Sequence, residues 1–538
     1  MAGNETADIL VLARQAHRAH DWATAAAHFD AVGAQRFTAD DLAAYADVLW
    51  WLGRADENLR VEVATFEAYL ADSRPAEAGW AAMLLGVFHM GRGDVPQAMG
   101  WIGRAGRLLE GIGECPAHGL LIQVTEVEPN LQAGQPTVAL SAARRMRALG
   151  IRLDEPGVVL LGVNCEGRAL IKAGQVVDGL ALLDEAMVAV LGSRLAPFTV
   201  GTLFCHTIAT CHEVGDLRRM TRWTELTEDW LSTLPAVGVF GGLCAVHRAQ
   251  LHILHGTWEE AERSALRVVA DLDAMRVDYA AEAWYLVGEA RRLRGDPAAA
   301  EAYDEAHARG RDPQPGRAFL QLEGGDASRA EASIWTALTA VGDDVLRRAP
   351  LCAAAVEIAV AAGRLDHARA AVSELVETTA AYATSGLEAM AAAARGAVLL
   401  AEGDCEQALP LLREACGRWL ALGATYDAAR TRALLSQTYR SLGDEASAAA
   451  EAAQAEAAFV RLGIHRRVSS PPDGLSRREC EVLALVADGR SNREIGETLF
   501  ISDRTVARHL TNIFHKIGAS SRTQAVRYAI DHMLTVTR

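Results

Sequence analysis

Only two of the 53 basic residues are lysines, Lys172 and Lys516. That scarcity excludes several enzyme classes together. A phosphate-binding P-loop needs a Gly-Lys-Ser/Thr step to bring an ammonium to the nucleotide phosphates, yet Lys172 is followed by Ala173 and Lys516 by Ile517. A phospho-receiver domain or a protein kinase needs a lysine on or at the end of a strand, and neither lysine has such a setting. HExxH, GxSxG and EF-hand patterns are also missing, so no catalytic residue and no cofactor is expected. The nine cysteines are odd in number, scattered among apolar residues and never in a CxxC pair. A zinc ligand set or a disulfide framework needs clustered spacing, so reduced, mostly buried thiols and no metal site are expected. No run approaches the roughly twenty apolar residues that a membrane span requires, and no charged-then-apolar segment opens the chain. A cytoplasmic protein without a membrane partner is the expectation.

The chain has 538 residues, 50% of them hydrophobic, which suits several domains or one extended repeat array with a small appendage. Its net charge of −16 looks wrong for a nucleic-acid binder until it is partitioned. Residues 471–538 carry ten Lys/Arg against eight Asp/Glu, whereas the remainder carries 43 against 61. Phosphate repels an acidic body, so any DNA-facing surface should be small and C-terminal. An ordinary acidic protein would show the same overall balance.

A helix-breaking glycine, often followed by aspartate, recurs at Gly53, Gly93, Gly134, Gly174, Gly215, Gly256, Gly295, Gly325, Gly363, Gly403 and Gly443. The gaps are 40, 41, 40, 41, 41, 39, 30, 38, 40 and 40. His20-Asp21-Trp22 stands in the glycine's place in a first copy. Each unit reads as helix, glycine turn, helix. In Ala283–Ala306, Trp284, Leu286, Val287, Ala290 and Leu293 share one helical side; beyond Gly295-Asp296-Pro297, Ala299, Ala302, Tyr303 and Ala306 continue it. Gly295 is placed to end a helix with a positive backbone angle, and Pro297 to begin the next. A two-helix hairpin cannot bury both apolar faces alone, so about a dozen copies should stack into a solenoid. The units resemble tetratricopeptide repeats through Gly93, Asp94 and Ala98 and through Gly295, Asp296, Ala302 and Tyr303, with a period longer than that family's. Trp22, Trp50, Trp51, Trp223, Trp258 and Trp284 could line a peptide groove, but helical spacing favours packing between repeats. His247, His252 and His255 lack a nearby acid or cysteine to complete a metal site.

An alanine-rich helix ends at Gly463, and Arg466–Gly474, RRVSSPPDG, reads as a linker. Four helices follow. Ser476 with Glu479, Ser491 with Glu494 and Ser521 with Gln524 have capping-box spacing. Ser502 is a further N-cap, Gly489 and Gly518 end helices, and Leu499-Phe500-Ile501 form an apolar turn. In the third helix, Ser502–Ile517, Val506, Leu510, Ile513 and Ile517 make one apolar stripe. Arg504, Arg508, Thr511 and His515 repeat that spacing shifted by two residues, about 200° around the axis. A helix held by its back, with arginines forward and its positive N-terminus free, is suited to a major groove.

At these residues the segment resembles the LuxR-type helix-turn-helix domain. The matching stretches are Leu475–Glu479, Glu481–Leu483, Gly489, Ser491–Ile495, Leu499–Ser502, Arg504–His509, Asn512–Gly518 and Ser521–Val526. The repeat region likewise resembles the arms of large regulators of this class, without the ATPase domain that many carry. The resemblance implies base-facing positions at Ala507, Arg508 and Thr511, with Arg504 on the same face. It implies phosphate contacts at Thr505, Lys516, Asn492, Arg493 and Arg522. Two departures stand out. Ala507 replaces a frequent lysine, so a groove contact is lost or becomes a methyl contact with thymine; Gly496 replaces an alanine, at about 1 kcal/mol of helix stability. Arg508 paired to O6 and N7 of a guanine would supply roughly 1–3 kcal/mol of discrimination. His509 suits a structural or phosphate contact. Ala525, Ala529, Ile530 and Met533 of the fourth helix could serve a dimer contact or packing within the head.

The expectation is therefore an all-α chain: a tetratricopeptide-like solenoid over 1–465, a linker over 466–474 and a four-helix LuxR-type head over 475–538. It would act as a transcription regulator on double-stranded DNA, pairing as a dimer there, with RNA polymerase and an unknown protein, peptide or small-molecule effector as further partners. A protein-interaction scaffold whose head no longer binds DNA, and an enzyme with an unrecognised site in the arm, are the rival readings.

Overall fold

The computed structural model describes residues 2–275, 280–464, 475–499 and 501–531. The linker 466–474, Phe500, Met533 and Arg538 lie outside them. Among the described residues every regular element is helical. The chain divides into two compact units, 1–320 with 327–464, and 321–326 with 465–538.

The helices of the arm pair into twelve hairpins, from Ala2–Arg18 with Trp22–Val32 to Thr425–Ser441 with Glu445–Arg461. All eleven recurrent glycines have a positive φ, between 68° and 88°, and His20 takes their place in the first hairpin at φ 61°. The reason for Gly-Asp is local. Glycine enters the left-handed region that stops one helix. The aspartate side chain then accepts a backbone N–H of the next helix, as Asp94, Asp216, Asp404 and Asp444 do from the residue three positions on. The helix after Gly295 begins at Ala299, so Pro297 sits in the turn before it rather than in its first turn. The shortened gap from Gly295 to Gly325 reflects two short helices, Ala299–Ala308 and Gly316–Glu323.

The buried sides match the apolar pattern. Ala299, Ala302, Tyr303 and Ala306 are fully buried and Trp284 is half-buried. Trp22 and Trp258 pack between repeats: Trp22 stacks on Trp51 at 5.6 Å between ring centres, and Trp258 meets the Tyr426 ring edge-on at 5.7 Å. His247 is buried against Gln250, His252 meets Thr257, and His255 is exposed. No group of three or more His, Cys, Asp or Glu among the described residues is arranged to hold a metal ion. All nine cysteines are free, six buried and three half-buried. No helix among the described residues is long and apolar enough to cross a membrane.

Several hairpins of the arm also meet the fifth hairpin after them: the second meets the seventh, the fifth the tenth, the sixth the eleventh and the seventh the twelfth. Trp50 in the second hairpin packs its ring against Phe240 in the seventh at 5.3 Å. Lys172 in the fifth bonds Glu213 at 2.5 Å and reaches Asp344 in the tenth at 3.2 Å, while the Tyr382 hydroxyl donates to the Lys172 carbonyl. Gly386 N–H donates to the Gly215 carbonyl at 3.1 Å, and a Cβ on Gly386 would lie 2.6 Å from that oxygen. One of the chain's two lysines is thus spent on closing the superhelix.

A Cβ on Gly295 would meet nothing within 4 Å, so Gly295→Ala tests the backbone angle alone. We expect it to cost about 1–2 kcal/mol, the left-handed penalty of an L-residue. Gly100, exposed in the helix Val95–Leu109 with equally free space, should gain up to about 1 kcal/mol on the same change. Thermal unfolding midpoints should therefore move in opposite directions; two equal shifts would contradict the turn assignment.

Candidate nucleic-acid interface

The small unit contains four helices: Arg477–Ala487, Asn492–Leu499, Asp503–Ile517 and Arg522–Asp531. Their starts are built as their serines require. Ser476 N–H donates to Glu479 Oε2 at 2.6 Å while Glu479 N–H donates to Ser476 Oγ at 3.2 Å. Ser491 and Glu494 repeat the arrangement at 2.7 and 3.3 Å. Ser502 Oγ accepts from Thr505 N–H at 3.1 Å and caps the third helix. The third expected box is displaced by one residue. Gln524 N–H does reach Ser521 Oγ, but the Gln524 amide oxygen accepts from Ser520 N–H at 2.7 Å instead of from Ser521. Gly518 closes the third helix at φ 66°.

One core joins the four helices. Val482, Leu483, Val486, Ile495, Val506, Leu510, Ile513, Ala525 and Ala529 are all buried in it, and Ile517 is packed at its edge. Ala525 and Ala529 therefore serve packing within the head rather than a dimer contact. Ile530's side chain and Met533 lie outside the described residues. Gly496 proves to be a close-approach position: it is buried, its carbonyl accepts from Ile501 N–H at 2.9 Å, and a Cβ would stand 2.6 Å from the Ile501 carbonyl oxygen. The cost expected from helix propensity is offset by a tighter second-to-third helix turn than alanine permits in this geometry.

Burial of Val506, Leu510 and Ile513 leaves Arg504, Ala507, Arg508, Thr511, Asn512 and His515 exposed on the third helix. No ion pair engages the Arg504 or Arg508 guanidinium among the described residues. The remaining candidates divide by what they touch. Thr505 is half-buried with its hydroxyl 2.8 Å from Ser502 Oγ, and Thr511 Oγ1 donates to the Ala507 carbonyl at 3.1 Å. Arg493 is exposed beside Glu497 at 3.2 Å. Arg522 donates to Asn492 Oδ1 at 3.0 Å and to the Arg490 carbonyl, tying the fourth helix to the start of the second. Lys516 Nζ is 2.7 Å from Glu479 Oε2 and ties the third helix to the first. Three residues predicted to meet phosphate, Asn492, Lys516 and Arg522, therefore also hold the head together. Asn512, one turn beyond Arg508 on the exposed face, was absent from the predicted contacts although its spacing of four marks it. His509 is half-buried.

The family described as GerE, bacterial regulatory proteins, luxR family, matches residues 473–529. The C-terminal segment is a LuxR-type helix-turn-helix domain. The LuxR-type head is 52% identical over 59 residues to the transcriptional regulatory protein LiaR of Bacillus subtilis, covering 11% of this chain and 28% of LiaR. It is 60% identical over 52 residues to the transcriptional regulatory protein DegU of Brevibacillus brevis, covering 10% of this chain and 22% of DegU. The chain thus spans about a quarter of the length of these relatives. Among solved structures, the chain is similar to "Crystal Structure of Rap Protein Complexed with Competence and Sporulation Factor", with 12% identity and a TM-score of 0.48 over 65% of this chain and 99% of that one.

Glu479 is the electrostatic hinge of the LuxR-type head, with only 4% of its surface exposed. Burial by itself raises its carboxyl pKa, but the Lys516 ammonium and the Ser476 hydrogen bonds outweigh burial and hold it below the usual carboxylate range. A lowered folded pKa means stabilisation that is present above the unfolded value of about 4.3 and lost as pH falls through the folded value. Glu479→Gln should cost the head about 2 kcal/mol at pH 7, the scale of a hydrogen bond to a charged group. The difference from wild type should shrink as the pH is taken below about 4. Denaturation curves that show the same gap at both pH values would refute this role.

Proposed function

We propose that the chain is a sequence-specific DNA-binding transcription regulator of the cytoplasm, with no catalytic activity. The supporting observation is the two-sided third head helix: Val506, Leu510 and Ile513 are buried, while Arg504, Arg508 and Thr511 are exposed without an acidic partner. A guanidinium left free on such a face can donate to O6 and N7 of a guanine in the major groove. Ala507 offers a methyl to thymine, and Asn512 an amide suited to adenine. Arg493, Thr505 and the ion-paired Lys516, with the Arg522–Asn492 pair, supply the phosphate-facing rim. The arm over 1–465 carries the signal input from a protein, peptide or small-molecule effector, the segment 466–474 links it to the head over 475–538, and RNA polymerase is the downstream partner. Two heads on one duplex read half-sites separated by whole helical turns.

The test is selection from a random duplex library by the full chain, followed by titration of the winning sequence at several salt concentrations. Affinity should fall linearly with salt on logarithmic axes, since phosphate contacts release counterions. Arg508→Ala should weaken the selected site by about tenfold or more and flatten preference at one base pair, the consequence of losing roughly 1–3 kcal/mol of discrimination. Arg493→Ala should weaken all sequences alike. Unchanged affinity and preference in Arg508→Ala would overturn the recognition face.

A further inference from the structure

Inside the arm, the first helix of the twelfth hairpin returns against the sixth to ninth hairpins and leaves a cavity of about 280 Å³. At about 30 Å³ per water molecule this is room for roughly nine waters, or a ligand of similar heavy-atom count. Its floor is apolar, formed by Leu217, Met220, Leu251, Leu254 and Phe319. The polar groups on its wall are nearly all committed elsewhere. Arg292 pairs with Glu289 at 2.9 Å, and Glu289 also accepts from the Tyr303 hydroxyl. Arg430 is paired to Glu357, and Gln250 is engaged by His247. Burial lowers the His212 pKa, against the pull of Glu282 and Glu213, and favours the neutral imidazole.

Asp427 is the exception. Its carboxyl has no side-chain hydrogen bond and no ion pair among the described residues; beyond its own backbone N–H it has only the more distant attraction of Arg430 and Arg292. Those two guanidiniums are paired with Glu357, outside the lining, and with Glu289, so Asp427 is the carboxylate of the lining without an ion pair of its own among the described residues. Burial pushes the Asp427 carboxyl above its usual range despite both arginines. A partly buried acid without a side-chain donor is disfavoured in its charged form, and a cation that enters beside it relieves that cost. An apolar floor with one unmatched acid at its wall is the arrangement of a small-molecule site with a single orienting polar contact.

We propose that this cavity binds a small amphiphilic cation, an apolar body carrying a protonated amine that pairs with Asp427. The proposal rests on the reading that the arm receives the signal, and it names the chemistry of that signal. An anion is disfavoured because both arginines are taken, and a neutral apolar molecule leaves Asp427 unmatched.

The experiment is isothermal titration of the full chain with a series of primary alkyl and phenylalkyl amines of about six to ten non-hydrogen atoms, each beside its matched alcohol and carboxylate. At least one amine should bind saturably at one site per chain. Its alcohol and carboxylate analogues should bind at least about tenfold more weakly, the scale of one lost charge-assisted contact. Asp427→Asn should erase that preference, and Leu254→Trp, which fills the cavity and keeps Asp427, should abolish binding while the circular dichroism of both variants stays that of wild type. Absence of saturable binding by every amine overturns the proposal, as does equal binding of amine and alcohol or an amine preference that survives Asp427→Asn. Arg508-dependent DNA binding is measured on the same preparation. Its retention alongside failed amine binding removes only the cavity assignment, whereas its loss removes the regulator reading and leaves the titration to report on the cavity.

Discussion

The helical period of the third head helix governs what the small unit can do. Val506, Leu510 and Ile513 are drawn out of water by Val482, Val486 and Ile495, and a rigid helix that turns one stripe inward must turn the opposite stripe outward. Burial of three aliphatic side chains, each contributing roughly 1.5–3 kcal/mol, thereby fixes the direction of two arginines that have no ion pair among the described residues. Their freedom from acidic partners is a consequence of the same geometry. Four other cations of the head have an acidic partner: Arg478 with Glu481, Arg490 with Asp488, Arg493 with Glu497, Lys516 with Glu479, and Arg522 is tied to Asn492. Arg504 and Arg508 stand apart.

The arm obeys a different constraint. A hairpin of two helices leaves apolar surface that only a neighbour can cover, and the alanine-rich second helices allow close stacking. Because several hairpins also touch the fifth one along, the acidic chain folds back on itself, and charged groups from distant repeats are matched in pairs. Lys172 with Asp344 matches charges five hairpins apart, and Arg430 with Glu357 matches them two hairpins apart. Asp427 is a place where such matching fails, inside a cavity large enough for a guest.

Much of this was legible in the sequence because the signals are local. Glycine is the residue that takes a left-handed turn at least cost, so a forty-residue glycine period translated into eleven positive-φ turns, and even the His20 substitute occupied that region. The stripe of Val506, Leu510 and Ile513 and the opposing arginines followed from 100° per residue. Non-local matters were not legible. Nothing in the spacing indicates that Gly386 must lie against Gly215, since that contact depends on how five intervening hairpins stack. The motif marks Lys516 and Arg522 as phosphate contacts, but their bonds to Glu479 and Asn492, which join helices separated by thirty or more residues, are not visible in it. Gly496 read as a weak helix position because the nearness of the Ile501 carbonyl belongs to the turn and not to the helix. The Gln524 amide chose Ser520 over Ser521, a one-residue difference beneath the resolution of a spacing rule.

The central claim, that Arg508 reads a base edge from a helix held by its back, is tested most directly by methylation interference. Methyl groups placed at guanine N7 of a selected site block a guanidinium in the major groove without altering the phosphates. The account predicts one guanine per half-site whose methylation prevents binding of the wild-type chain and has no effect on Arg508→Ala. Binding insensitive to N7 methylation at every guanine, or a footprint unchanged by the substitution, would contradict it.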